Sequence, residues 1–215
     1  MKYVLIIAIC IQFFIALAEA PSNDQLEERT FIHNVLRTRD RVCLKGFRSA
    51  SQKGPTCNVY SAIMILHYFR YYRANVRDLK RGADGYMYRY AHFLRKKLHQ
   101  YDFEYTILTP HNRLKLSNVI KKSIDNGIPI HWIVNLKFSP IAIERNGSFH
   151  ARVIIGYYHK NGVLTEIMYA DSWGKRNLHK RMDINSAFRM TVNTNLIYPK
   201  DLDKKVLTKL MASAK

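Results

Sequence analysis

Acidic side chains are scarce in this chain. Its 215 residues carry 16 Asp and Glu against 35 Lys and Arg, a formal net charge of +19. Such a surface favours anionic partners: nucleic acid, anionic lipid, acidic polysaccharide or acidic protein. The basic residues are spread along the chain and no RNA- or DNA-binding motif accompanies them, so the charge reads first as a well-solvated surface. Cysteine is also rare. Of three, Cys10 lies in the first apolar segment, and Cys43 and Cys57 are too few for a disulfide framework. They form either one bridge or one reactive and one inert thiol. The chain shows no low-complexity linker, internal repeat, phosphate loop, dinucleotide fingerprint or zinc-ligand spacing. His67 and His131 have no companions at metal-ligand spacing, so neither a metal nor a cofactor is expected.

Long apolar runs are absent after residue 20, and nothing later is apolar enough to cross a membrane. Residues 1–20 have the pattern of a secretory signal peptide. Lys2 is the charged start, Tyr3 to Leu17 is apolar apart from Gln12, and two small-x-small sites follow. Cutting after Ala18 is preferred because Pro21 immediately follows the second site; the alternative is an uncleaved anchor. The expectation is a secreted or periplasmic protein. Residues 21–48 form an N-terminal arm or short pro-region, and 49–215 form one domain that acts as a monomer. With 47% hydrophobic residues, a chain of this length can bury a proper core.

What is present is ordered along the chain. Phe31-Ile32 and Val35-Leu36 have the spacing of a short amphipathic helix. Gly54-Pro55 marks a turn, after which residues 57–73 read as a buried helix. Val59, Ala62, Ile63, Leu66, Phe69 and Tyr72 recur at helical spacing. Val76 to Leu79, Tyr86 to Leu98 and Leu114 to Asn126 read as further helices, the last ended by Asn126-Gly127. A buried strand is expected at Ile130 to Leu136 and a loop at 137–149, where Asn146-Gly147-Ser148 is formally a glycosylation sequon. His150 to Tyr158 and Leu164 to Asp171 read as strands joined by an Asn161-Gly162 hairpin turn. A last strand at Met190 to Tyr198 and a short helix at Val206 to Met211 close the chain.

Two of these elements carry chemistry. Cys57 falls in the first turn of a helix, where the dipole end and unpaired N–H groups favour a thiolate. In the hairpin, a two-residue loop sets Val153 opposite Ala170, Arg152 opposite Asp171 and His150 opposite Trp173. Asp171 is then the diagonal neighbour of His150 on one face. A helix-start cysteine, a strand histidine and an adjoining carboxylate are the parts that thiol nucleophilic catalysis needs. Gln52 and the Cys57 backbone N–H are candidate donors to an oxyanion.

These residues resemble the papain-like cysteine peptidases. Gln52…Cys57 at a helix start is similar to the Gln…Cys segment of that clan. His150-Ala151-Arg152-Val153-Ile154-Ile155-Gly156-Tyr157 is similar to its histidine strand, and Asp171-Ser172-Trp173-Gly174 to its Asn/Asp-Ser-Trp-Gly segment. The helix ending at Asn126-Gly127, with the strand from Ile128-Pro129-Ile130, is closest to the bacteriocin-processing (C39-like) branch. The resemblance implies an α+β fold in which a helical lobe carries the cysteine and a twisted antiparallel sheet carries the histidine and aspartate. It implies a cysteine peptidase acting on protein or peptide substrates. Cys57 matches the nucleophile, His150 the general base and acid, Asp171 the residue that orients the histidine, and Gln52 the oxyanion donor. Trp173 matches the tryptophan that shields the histidine–acid contact, beside bound substrate. Asn58 stands where many members of that branch have Gly. The Gln-to-Cys gap is one residue shorter than usual, which leaves Ser51 or Thr56 as alternative helpers.

Two rival readings stay open on the sequence. One is transglutaminase-like or amidase acyl transfer by the same triad. The other is a non-catalytic, basic secreted binding protein, with a Cys43–Cys57 disulfide and a charged surface that holds anionic surfaces or polymers.

Overall fold

The computed structural model describes residues 34–52, 56–80, 87–173, 178–202 and 204–214. The expected signal peptide, the Phe31-Ile32 pair, the Gly54-Pro55 turn and Gly174 lie outside these residues. Two short strands come first, β1 (Val35–Arg37) and β2 (Arg41–Leu44). Helices α1 (Cys57–Tyr68), α2 (Val76–Lys80) and α3 (Met87–Gln100) follow. Then come β3 (Phe103–Leu108), α4 (Arg113–Asp125) and β4 (Ile130–Asn135). The hairpin is β5 (Phe149–Lys160) and β6 (Val163–Asp171), and the chain ends with β7 (Lys180–Asp183), α5 (Ile184–Met190), β8 (Thr191–Pro199) and α6 (Lys204–Ala214).

All eight of these strands join one antiparallel sheet, in the order β1-β2-β5-β4-β8-β3 with β6 and β7 continuing from β5. Strand β5 is its spine. Strand β6 runs along one edge of β5, while β4 takes the first half of the other edge and β2 the second half. The change of partner coincides with a bulge at Ile155, between the pairs Ile154–Tyr169 and Gly156–Met168. A bulge bends a strand and increases its local twist, which lets β2 and β4 diverge from one edge. Gly156 lies where they part. A Cβ there would stand 2.7 Å from the Val42 carbonyl oxygen and 2.8 Å from Cys43 Cβ, so β2 approaches this closely only against glycine.

Helix α1 is the buried counterpart of the sheet. Eight of its twelve residues are buried, on all sides rather than along one stripe, as expected of a helix enclosed by its domain. It packs on β5, where the Ser61 hydroxyl donates to the Ala151 carbonyl at 3.0 Å. The helix stops at Tyr68, short of the expected residue 73, because Arg70 turns into the left-handed region at φ 61°. Tyr71 N–H then donates to the Leu66 carbonyl and Arg70 N–H to the His67 carbonyl, closing a Schellman motif.

Other expectations are corrected. Val35 and Leu36 form a strand rather than a helix, because their backbone pairs with Leu44 and Cys43. Strands β2, β3 and β7 and helix α5 were not expected. Met190 closes α5 instead of opening the last strand. The loop at 137–149 contains two 3-10 turns, Leu136–Phe138 and Ala142–Asn146, and its Phe149 opens β5. No helix among the described residues is long and apolar enough to cross a membrane.

Candidate active site

The hairpin brings the histidine and the carboxylate together. Asn161 and Gly162 have φ of 51° and 77°, as a two-residue turn with two left-handed centres requires. The ladder contains two irregularities, an extra Ile155 in β5 and an extra Thr165 in β6, and they cancel. Arg152 therefore faces Asp171 in the register expected for a regular hairpin. From that place Asp171 Oδ1 reaches His150 Nε2 at 2.8 Å, and it also accepts the Trp173 backbone N–H at 3.0 Å. The Trp173 ring stacks on the His150 ring with centroids 4.2 Å apart. His150 and Asp171 are both buried, whereas Trp173 is half-exposed and forms the cover.

Cys57 arrives from the helical side. It opens α1, whose first turn holds no acidic residue to offset the positive dipole end. The His150 ring and the backbone at Ala151 and Asn58 lie close enough to act on its thiol. With Nε2 engaged by Asp171, His150 Nδ1 is the ring nitrogen left for sulfur. Ser61, one helical turn after Cys57, is tied to Ala151, the residue after His150, so a single bond fixes helix against strand beside the cysteine.

The charges are mutually supporting. Burial pushes the Cys57 thiol up, but the hydrogen bond and charge of His150 and the two backbone donors outweigh it, and the thiol titrates below its ordinary range. Burial pushes His150 down, yet Asp171 and Cys57 together raise it above its ordinary value. Burial also opposes ionisation of Asp171, but His150, Arg152 and the Trp173 N–H hold it at about 2. Both shifts act in one direction, toward a thiolate beside an imidazolium, with the Asp171 carboxylate behind them.

Gln52 is held beside Ser172. Its N–H donates to the Ser172 carbonyl at 2.7 Å, and its side-chain oxygen accepts the Ser172 hydroxyl at 2.5 Å. With the amide oxygen so fixed, the NH₂ is the donor end of the group. The structure therefore brings Cys57, His150, Asp171 and Trp173 together, and links Gln52 to them through Ser172. It does not form the Cys43–Cys57 bridge. Both thiols are free: Cys43 is buried in β2 opposite Gly156, and Cys57 is turned toward His150.

A second layer surrounds the site, of which the sequence pointed only to the Arg152–Asp171 pair. Arg152, fully buried, donates through Nε to Asp171 Oδ2 at 2.9 Å and through Nη2 to Glu144 Oε1 at 2.6 Å. Glu144 in turn accepts the Ser139 hydroxyl at 2.7 Å. The register makes the Arg152–Asp171 pair legible, but nothing local marks Glu144, which lies in the segment expected as loop. His131 is buried in β4 with Nδ1 3.2 Å from Asn195 Nδ2, and burial lowers it to about 4. Among the described residues no group of His, Cys, Asp and Glu has the makings of a metal site.

A buried cysteine-bearing helix against a curled antiparallel sheet that carries histidine and aspartate defines a papain-like α+β fold. Residues 45–198 match the Peptidase_C39 like family, and the chain belongs to it. No curated protein matches. Among solved structures, a double glycine motif protease from an AMS/PCAT transporter, in complex with the leader peptide, is similar over 75% of this chain and 99% of its own. The identity is 14% and the TM-score 0.46.

Proposed function

We propose that this protein is a secreted or periplasmic cysteine peptidase that hydrolyses peptide bonds through Cys57, His150 and Asp171. The observation that carries the reading is the His150 imidazole, bonded to Asp171 at 2.8 Å and near enough to Cys57, at the start of α1, for each to shift the other's titration. The Cys57 thiolate attacks the substrate carbonyl carbon, and the carbonyl electron pair moves onto oxygen. The Cys57 N–H and the Gln52 NH₂ donate to that oxyanion. Collapse breaks the C–N bond, and the His150 imidazolium gives its proton to the leaving amine. Neutral His150 then takes a proton from water, which attacks the thioester and frees the thiolate. Arg152 is a positioning residue: it touches no reacting atom but keeps Asp171 ionised and aimed at His150.

Trp173, half-exposed and stacked on His150, offers an apolar surface beside the site to a substrate side chain. The signal-peptide pattern of residues 1–20 supports export. The test is labelling with iodoacetamide near neutral pH followed by mass spectrometry, together with cleavage of a peptide library. Rapid labelling at Cys57, slowed in His150→Ala, with peptide cleavage lost in both Cys57→Ala and His150→Ala, supports the reading. A reactive thiol that releases ammonia from glutamine side chains, and cuts no peptide, would replace it with amidase-type acyl transfer.

A further inference from the structure

We infer that the far end of helix α1 carries a binding pocket for a phosphate ester, separate from the cysteine site. The twelve-residue helix places this end about 18 Å along its axis from Cys57. A cavity of about 320 Å³ opens there, lined by Lys45, Arg48, His67, Tyr68, Arg70 and Tyr72 among others, with no carboxylate from the described residues in its wall. Lys45, Arg48 and Arg70 take part in no ion pair among the described residues. Three cationic residues line one cavity with no ion-pair partner among the described residues. Tyr72, 69% exposed, pairs its ring with that of His67 at 5.5 Å and gives the pocket an aromatic wall.

Cations near a helix C-terminus ordinarily serve its unpaired carbonyls and dipole. Here the chain's own N–H groups already close the last turn through the Schellman bonds to Leu66 and His67. The residue at the left-handed position is also unexpected. Glycine adopts φ of 61° without steric cost and is the usual occupant, whereas Arg70 has to be held there. A strained non-glycine residue is a recurrent mark of a ligand clamp. A further sign is Tyr68, 7% exposed, whose hydroxyl has no hydrogen-bond partner and which lines the same cavity. Buried hydroxyls are normally paired. A phosphate group supplies several acceptors for the cations and for this hydroxyl, and the volume leaves room for a ring-sized body against Tyr72.

The experiment is titration of the full chain with inorganic phosphate at low ionic strength, followed by calorimetry. Phosphatidylcholine vesicles with and without phosphatidic acid form a second arm. Wild type is expected to bind phosphate saturably at one site. Arg70→Gly is expected to weaken binding about tenfold, the loss of one charge-assisted hydrogen bond, while the unliganded protein melts no lower than wild type. Arg95→Gln removes the same charge from the exposed face of α3 and is expected to change the affinity little. Tighter binding to phosphatidic acid vesicles than to free phosphate assigns a lipid headgroup; equal binding assigns a soluble ester. Absence of saturable binding in both arms overturns the inference. So does equal weakening by Arg70→Gly and Arg95→Gln, which would mean diffuse attraction to a basic surface.

Discussion

Asp171 stands directly opposite Arg152 in the β5–β6 ladder, yet one of its oxygens bonds the arginine while the other bonds His150, two residues along the strand. Both strands contribute to one buried charge network, and the carboxylate is shared between a cation of permanent charge and one that titrates.

The Cys57–His150 pair predicts a bell-shaped pH profile. Peptide cleavage rises as Cys57 loses its proton below its ordinary range and falls as His150, which protonates the leaving amine, loses its own above its ordinary value. The two apparent values belong to the coupled pair. In His150→Ala only burial and the backbone donors act on the thiol, so alkylation near neutral pH is expected to slow by at least about tenfold and to recover at alkaline pH. Initial rates of peptide cleavage across pH measure both limbs, and iodoacetamide labelling, which needs the thiolate but no acid, measures the first alone.

Arg152 predicts a separation of stability from geometry. Arg152→Met leaves Glu144 buried without a cation and Asp171 with His150 as its remaining one, and is expected to cost about 3–5 kcal/mol. Arg152→Lys keeps the charge but loses the fork that reaches both carboxylates. It is expected to fold with a lower urea midpoint and with the acid limb of the labelling profile moved toward neutral pH, because Asp171 is no longer held at about 2. An unmoved acid limb would reduce Arg152 to packing.

Gly156 predicts a steric effect without chemistry. Gly156→Ala forces its new methyl against the Val42 carbonyl and Cys43, and the backbone of β2 has to shift. A destabilisation of about 1–3 kcal/mol is expected, read from the denaturation midpoint. The thiol profile should keep its shape, since β4 still pairs with the first half of β5, including His150.

His131 predicts acid lability ahead of the active site. Its folded value of about 4 lies below the ordinary 6.5, so between those pH values the unfolded chain binds a proton that the folded chain refuses. Stability therefore falls as pH drops through that window, by about 3 kcal/mol at pH 4. Asp171 acts lower: its contribution, about 2 kcal/mol, is present above pH 3.8 and lost on acidification toward 2. Chemical denaturation from pH 7 to 4 is expected to show the His131 slope in wild type and a flatter one in His131→Gln.

Periodicity and turn chemistry by themselves determined the helix that starts at Cys57, the strand that starts near His150 and the Asn161-Gly162 turn, because each is a local property of a few residues. The place of Asp171 beside His150 was legible for the same reason, although it survives only because the bulges at Ile155 and Thr165 offset each other, which no local pattern records. Strands β2, β3 and β7 were not legible: they are short, and pairing with distant segments rather than their own pattern makes them strands. The turn of Val35-Leu36 from expected helix to strand has the same origin, since backbone bonds to β2 outweigh a weak helical period. Tertiary structure alone decided the second layer beyond the Arg152–Asp171 pair. Glu144 meets Arg152 and Gln52 meets Ser172 only after the sheet has curled, and the freedom of Cys57 from Cys43 follows from their lying on a helix and a strand that direct the two thiols to different neighbours.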